Sequence, residues 1–375
     1  MTYLDYQATT PLAPEAFDAM LPWLRDQHAN PHSAHREGRA AKAAVEVARE
    51  QVAALMPAGG TVSFTSGATE ALNWAIKGTA GELWTLPTEH AAVLDTMEAE
   101  AANGRERYVL SAGTDGLHDV SHVPQHPGRD PSTVLLPLNE QINGLFAAML
   151  VNNEIGVIQP IAKLASSAHA SGMLFLCDAV QGFGRVPIPP NVDLVAISAH
   201  KIYGPKGIGA LWIRDGVRLQ PLVHGGGQEI AGRSGTLSPA LCVGFGTAAA
   251  LMKGQATADA QHVERLWSVA LAALGDGWTL NGSPDNRYHG NLNIRRDGLD
   301  VARLMSDLRD IAFSAGSACA SGSGRPSHVL RAIGLSDAEA KSSIRLGFGR
   351  YTTESELIDA LTRIDAAARA QRIAA

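Results

Sequence analysis

The chain has 375 residues, 45% of them apolar and 18% charged, with a formal net charge of -6. These values describe an ordinary soluble globular protein with room for about two domains, and they exclude the basic field that nucleic-acid binding needs. The most apolar stretch, 239–252, is too short and too Gly-rich to span a bilayer.

Three cysteines, Cys177, Cys242 and Cys319, form neither a disulfide framework nor a metal-ligand spacing. The first residues carry no basic and apolar leader. A cytoplasmic, reduced protein is expected, with no nucleic-acid and no membrane partner.

In chain order, an extended arm over 1–14 leads into a helical pattern at 14–24. A polar loop and a long Ala-rich helix at 36–56 follow. Strands are then predicted at 62–65, 83–86, 108–110, 146–151, 174–177, 192–198 and 209–214. Helices at 67–77, 91–103 and 161–171 lie between them. Strands alternating with helices, several of them apolar on both faces, predict an α/β fold with a mostly parallel sheet. Near Thr236 the alternation stops. Two helices (239–253 and 259–274) lead into a smaller α+β region with strands at 278–280, 291–294, 311–314 and 343–348 and a last helix at 354–372. The expected division is an arm (1–14) packing on the smaller domain, a large domain (15–240) and a small one (241–375).

The chemistry concentrates at predicted strand ends. Ser198-Ala199-His200-Lys201 closes one strand, and a lysine at the C-terminal edge of such a sheet can form a Schiff base with an aldehyde cofactor. Asp178 ends the preceding strand, with Gln181 three residues on. It is suited to a pyridinium nitrogen or, equally, to a helix cap. Thr65-Ser66-Gly67-Ala68-Thr69-Glu70 joins a strand to a helix and reads as a phosphate site or as a plain cap. His90 is suited to stacking on a ring and passing protons, or to a structural role. In Asn152-Asn153-Glu154 either amide could bond a cofactor or substrate.

These residues sit in stretches that resemble the pyridoxal-phosphate cysteine desulfurases of the NifS/IscS type, within the class V aminotransferases and the fold-type I enzymes. The stretches include Tyr3-Leu4-Asp5-Tyr6, Thr88-Glu89-His90, Asp178-Ala179-Val180-Gln181, Ser198-Ala199-His200-Lys201, Arg233-Ser234-Gly235-Thr236, Gly316-Ser317-Ala318-Cys319 and Ser342-Ser343-Ile344-Arg345. They run nearly end to end and in family order. The resemblance implies pyridoxal 5'-phosphate held covalently by Lys201, with Ala68, Thr69, Ser198 and His200 on its phosphate. Thr236 of the partner subunit in a homodimer would complete that phosphate site. Asp178 would meet the ring nitrogen, Gln181 the ring hydroxyl, and His90 would stack on the ring. Asn153 and Arg345 would hold the substrate carboxylate, a task suited to the guanidinium fork.

The resemblance also implies a catalytic set of Lys201, His90 and Cys319. Lys201 removes the α-proton of L-cysteine, His90 helps with further proton transfers, and the Cys319 thiolate takes the sulfur as a persulfide while alanine leaves. The small-residue loop around Cys319 is similar to the longer mobile loop of the family's first group. No resident metal is expected; the one candidate ligand, for a transient iron–sulfur species, is Cys319 itself. The sulfur would pass to an acceptor protein, an iron–sulfur scaffold or a sulfurtransferase, for cluster assembly or tRNA thiolation. The sequence departs from the family at Ile230-Ala231-Gly232 and in a short tail after Arg372, so the resemblance does not name that acceptor. The competing readings are a selenocysteine lyase or other β-lyase, a transaminase that would not need Cys319, and a non-catalytic partner protein. The retained Lys201, Asp178, His90 and Cys319 oppose the last of these.

Overall fold

The computed structural model describes residues 1–118, 143–229, 232–315 and 326–371. Cys319 with its loop, and the departure at Ile230-Ala231, lie outside the described residues. After the arm come α1 (Pro14–Arg25), with proline in its first turn, and α2 (Arg36–Ala53). On α2, Gly38, Ala41, Val45, Ala48 and Val52 recur at helical spacing and form its buried stripe. Strands and helices then alternate: β2 (Gly60–Thr65), α3 (Ala68–Lys77), β3 (Glu82–Thr85), α4 (Ala91–Ala102), β4 (Arg107–Val109), β5 (Gly144–Met149), α5 (Ile161–Ala170), β6 (Met173–Asp178), β7 (Leu194–Ser198) and β8 (Gly209–Arg214).

One seven-stranded sheet has the order β2-β8-β7-β6-β5-β3-β4. The pairs from β7 through to β4 are parallel, and β8 runs antiparallel to both of its neighbours. Strands β5 to β8 are buried throughout. Alternate side chains supply two cores. Leu145, Leu174, Leu194 and Leu211 face α3 and α4; Phe146, Phe175, Val195 and Trp212 share the other core with α2 and α5.

The two helices expected at 239–253 and 259–274 are one, α6 (Pro239–Ala273). Its 35 residues span roughly 52 Å at 1.5 Å per residue. Gly254 and Thr257 are weak helix formers, but the buried positions on either side of them continue one helix, and packing overrides their propensity. The helix packs on α1 and α2 and on the last helix, so it passes unbroken through the boundary expected at 240.

Beyond it, β9 (Thr279–Leu280), β10 (Asn291–Arg295), β12 (Ser314–Ala315) and β13 (Ser343–Gly347) form an antiparallel sheet in the order β12-β13-β10-β9. The single strand expected at 311–314 is split. β11 (Ile311–Ala312) pairs instead with β1 (Thr2–Tyr3) of the arm, in parallel. Three short helices, α7 (Val301–Asp307), α8 (His328–Ala332) and α9 (Asp337–Lys341), had no predicted counterpart, and α10 (Glu354–Ala370) closes the described chain. The arm continues past Asp5, which bridges to Gly347. A Cβ on Gly347 would lie 2.8 Å from the backbone nitrogen of Tyr6, so glycine lets the arm lie this close.

Candidate active site

Strands β2, β3, β5, β6 and β7 all end at one edge of the large sheet, and a cavity of about 580 Å³ opens at that edge. It is lined by Ala68, Thr69, His90, Asn153, Asp178, Gln181, Ser198, His200, Lys201 and Arg345. Of the other two residues singled out from the sequence, Cys319 is outside the described residues. Thr236 is exposed and does not line this cavity.

At one end of the cavity, Gly67 is the N-cap of α3, with no side chain capping the first turn. The sequence left open whether Ser66 or Thr69 was only a cap; neither is one. Thr65 Oγ1 donates to Gly67 O at 2.9 Å, and Ser66 N–H donates to Glu70 at 2.7 Å. Glu70 is also paired with Arg233 at 2.8 Å. Burial raises the pKa of Glu70, but the bonds from Arg233 and Ser66 outweigh it and hold the carboxyl below its usual range. A Cβ on Gly209 would meet Gly67 Cα at 2.8 Å, so glycine in β8 lets this turn lie against the sheet. His200 Nδ1 is 3.2 Å from Thr9 Oγ1. Burial, with Lys201 and Lys206 nearby, pushes its pKa down to about 4, so it is neutral at pH 7. Uncapped amides, hydroxyls and a neutral imidazole make a site for an anion.

The deeper end holds the carboxyl of Asp178, 6% exposed, with Oδ1 accepting Val180 N–H at 3.0 Å. Burial raises its pKa even though His90 and Lys201 act to lower it. A buried acid in this state is suited to a cationic N–H from a ligand. His90 accepts Ala92 N–H through Nδ1 at 3.0 Å, capping α4 and fixing the imidazole plane. Lys201 Nζ donates to Gln7 O at 2.6 Å and Ala8 O at 2.7 Å.

The structure adds detail at three of these positions. Gln181, assigned to a ring hydroxyl, lines the cavity, but its amide donates to Gln7 O at 2.9 Å. Of the asparagine pair, Asn152 is structural: its Oδ1 accepts the N–H groups of Glu154 and Ile155 and its amide donates to Thr88 O, which leaves Asn153 at the cavity. Arg345, assigned to a substrate carboxylate, is paired with a carboxylate of this chain. Its Nη2 donates to Asp5 at 2.8 Å and its Nη1 to Asn153 O at 2.9 Å. The arm delivers Asp5 there through its pairing with β11.

Sequence reasoning missed Gln7, Ala8 and Thr9 as cavity walls, Lys206 at the rim, and Glu89 beneath it. Glu89 is fully buried, with Oε1 accepting Met149 N–H at 2.9 Å and Oε2 without a partner among the described residues. Burial, with the Asp178 charge, pushes its pKa well above the carboxylate range. Its place beside His90 in Thr88-Glu89-His90 was the available signal. Cys177 and Cys242 are buried thiols with raised pKa values, that of Cys242 at about 12, as their apolar surroundings require. Among the described residues no cluster of three His, Cys, Asp or Glu could hold a metal, and no helix is long and apolar enough to cross a membrane.

A model of the aminotransferase class-V family matches residues 2–361. The cysteine desulfurase IscS of Rickettsia bellii is 42% identical over 372 residues, covering 95% of this chain and 88% of that protein. The mitochondrial cysteine desulfurase of Saccharomyces cerevisiae is 43% identical over 371 residues, 95% of this chain and 72% of that protein. Among solved structures, a NifS-like protein from Rickettsia africae superposes with a TM-score of 0.86 at 29% identity, covering 98% of this chain and 99% of that one. SspA in complex with cysteine superposes with a TM-score of 0.79 at 35% identity, covering 94% and 100%.

Proposed function

Since the chain belongs to the aminotransferase class-V family, as a cysteine desulfurase of the NifS/IscS type, we propose that it uses pyridoxal phosphate to convert L-cysteine to L-alanine and to transfer the sulfur to Cys319. The observation that carries the reading is the joint lining of one cavity by an uncapped helix N-terminus, a buried carboxyl to which no cation among the described residues is bonded, and a lysine amine. Those three groups fit a phosphate, a protonated pyridine nitrogen and an aldehyde. Bound there, pyridoxal phosphate supplies an aldehyde that condenses with amines and a ring that withdraws electrons.

The chain's own residues then have these tasks. The amides of Ala68 and Thr69, with Ser198 and neutral His200, hold the phosphate, and Asp178 holds the ring nitrogen protonated. His90, its plane fixed by α4, stacks on the ring. Asn153 and Arg345 hold the substrate carboxylate, for which Arg345 exchanges Asp5 as its partner. Lys201 Nζ takes the α-proton of the substrate. The Cys319 thiolate bonds to the substrate sulfur as the carbon–sulfur bond breaks, and the electron pair left on the carbon takes up a proton delivered by His90 or Lys201. The products are one alanine and one enzyme persulfide, so atoms and electrons balance without an added oxidant.

The same proposal makes the protein a cytoplasmic homodimer, with Thr236 of the partner subunit closing the phosphate site. It keeps an arm over 1–14, a cofactor domain over 15–240 and a smaller domain over 241–375, joined by α6. The persulfide passes to an acceptor protein for iron–sulfur cluster assembly or tRNA thiolation. The test is alanine and sulfide release from L-cysteine with a reductant, in wild type and Cys319→Ala. Equimolar products, lost in the variant while the yellow cofactor absorbance stays, are expected. Turnover without alanine, or turnover indifferent to Cys319, moves the assignment to a β-lyase or a transaminase.

A further inference from the structure

Lys201 ends a single three-residue turn, Ala199–Lys201, which cannot fix an amine by itself. Two residues on, Tyr203 has φ of 66°, the one non-glycine residue with positive φ among those described. A bulky side chain in that region is strained, and the surroundings must hold it. Several groups do. Thr10 Oγ1 accepts Tyr203 N–H at 2.7 Å, and the Arg350 guanidinium lies over the Tyr203 ring at 4.5 Å.

Arg185 holds the same segment from the other side. It closes the turn that follows β6, with its N–H donating to Gly182 O at 2.8 Å. Its Nη1 donates to Gln181 O at 3.1 Å, and its Nη2 makes a short bond to Lys201 O. Its guanidinium lies over the Tyr288 ring at 5.4 Å and lines a second cavity of about 230 Å³, not the first. No carboxylate among the described residues pairs with it, so both bonds go to main-chain carbonyls.

We propose that Arg185 is a positioning residue for the lysine amine: its fork ties the main chain of Lys201 to that of Gln181 and so sets where Lys201 Nζ stands in the cavity. A planar fork can bridge two carbonyls in fixed geometry, and a lysine cannot. The inference rests on the reading of Lys201 as the cofactor lysine.

The test uses Arg185→Met, which keeps an apolar stem over Tyr288, and Arg185→Lys, which keeps the charge. Hydrogen exchange of 199–204 is followed in the cofactor-free protein, and pyridoxal phosphate is titrated by absorbance. In Arg185→Met the segment is expected to exchange roughly tenfold faster while exchange elsewhere in the sheet is unchanged. The cofactor is expected to bind about tenfold more weakly, and Arg185→Lys is expected to fall between. Should Arg185→Met not fold, Arg185→Lys is read by the same two measurements. Exchange and affinity both within about twofold of wild type overturn the proposal, because lost bonds to a charged donor must register in one of them. A wild-type chain that does not bind pyridoxal phosphate would sink the proposed function instead, while the exchange result still reports on Arg185.

Discussion

Arg49 and Arg345 are both largely buried and both paired to a carboxylate, yet the two carboxylates are bonded to different degrees. Glu229, fully buried, accepts from Arg49 at 2.7 and 2.9 Å, from the Ser63 hydroxyl at 3.1 Å and from Phe64 N–H at 2.7 Å. Asp5, with an 18% exposed side chain, accepts from Arg345 and from the Ser314 hydroxyl, both at 2.8 Å. Arg345 lines the cavity, and its buried Nε has no partner among the described residues. The first pair is saturated and lines neither of the two cavities described above, so it pins the 224–229 loop to β2. The second borders the cavity and its carboxylate accepts fewer bonds, so its arginine is the one placed to exchange that partner for another carboxylate. Saturation, not burial, separates a structural ion pair from a binding one.

The largest expected effect is on the saturated pair. Arg49→Met leaves Glu229 buried and unpaired, and should cost about 3–5 kcal/mol in urea unfolding while cofactor affinity of the folded fraction holds. Next is Arg345→Lys, which keeps the charge near Asp5 but loses the fork. It should lower kcat/KM for L-cysteine roughly 100-fold, mainly through KM, with a smaller stability loss than Arg49→Met. Equal stability losses in the two variants would erase the distinction between the pairs.

The smallest effect concerns Glu89, a buried acid with no cation bonded to it among the described residues. Its pKa is raised in the folded chain, so the native state keeps a proton that the unfolded chain releases above about pH 4.3. Its contribution is therefore fully present at low pH and is lost as pH rises toward the folded pKa. Glu89→Gln, which cannot ionise, should lose stability less steeply than wild type as pH rises above about 4.3. Parallel urea midpoints for the two proteins over that range would mean that Glu89 is not protonated.

Much of the sheet was legible because apolar runs such as Leu174–Cys177 and Leu194–Ser198 have few ways to be buried except as central strands. Residues just after such runs must lie at the sheet's C-terminal edge, which is why Asp178, His90, Asn153 and Lys201 could be singled out one by one. The continuity of α6 through Gly254 was not legible, because propensity is local and the packing that overrides it is not. Helices α7, α8 and α9, five to seven residues each, are too short to show a period.

The sequence by itself determined the layers, the order of elements and the chemical groups at the strand ends, since hydrophobic period and residue type are properties of neighbours along the chain. Only the tertiary structure decided what those groups touch. The arm pairs with β11 over a separation of some 300 residues and so brings Asp5 to Arg345 and the carbonyls of Gln7 and Ala8 to Lys201. The Glu89 carboxyl was pushed up in pKa, and Arg185 became a clasp on Lys201, only when distant elements closed over them. Desolvation and main-chain contact arise from what surrounds a residue in space, and no periodicity encodes that.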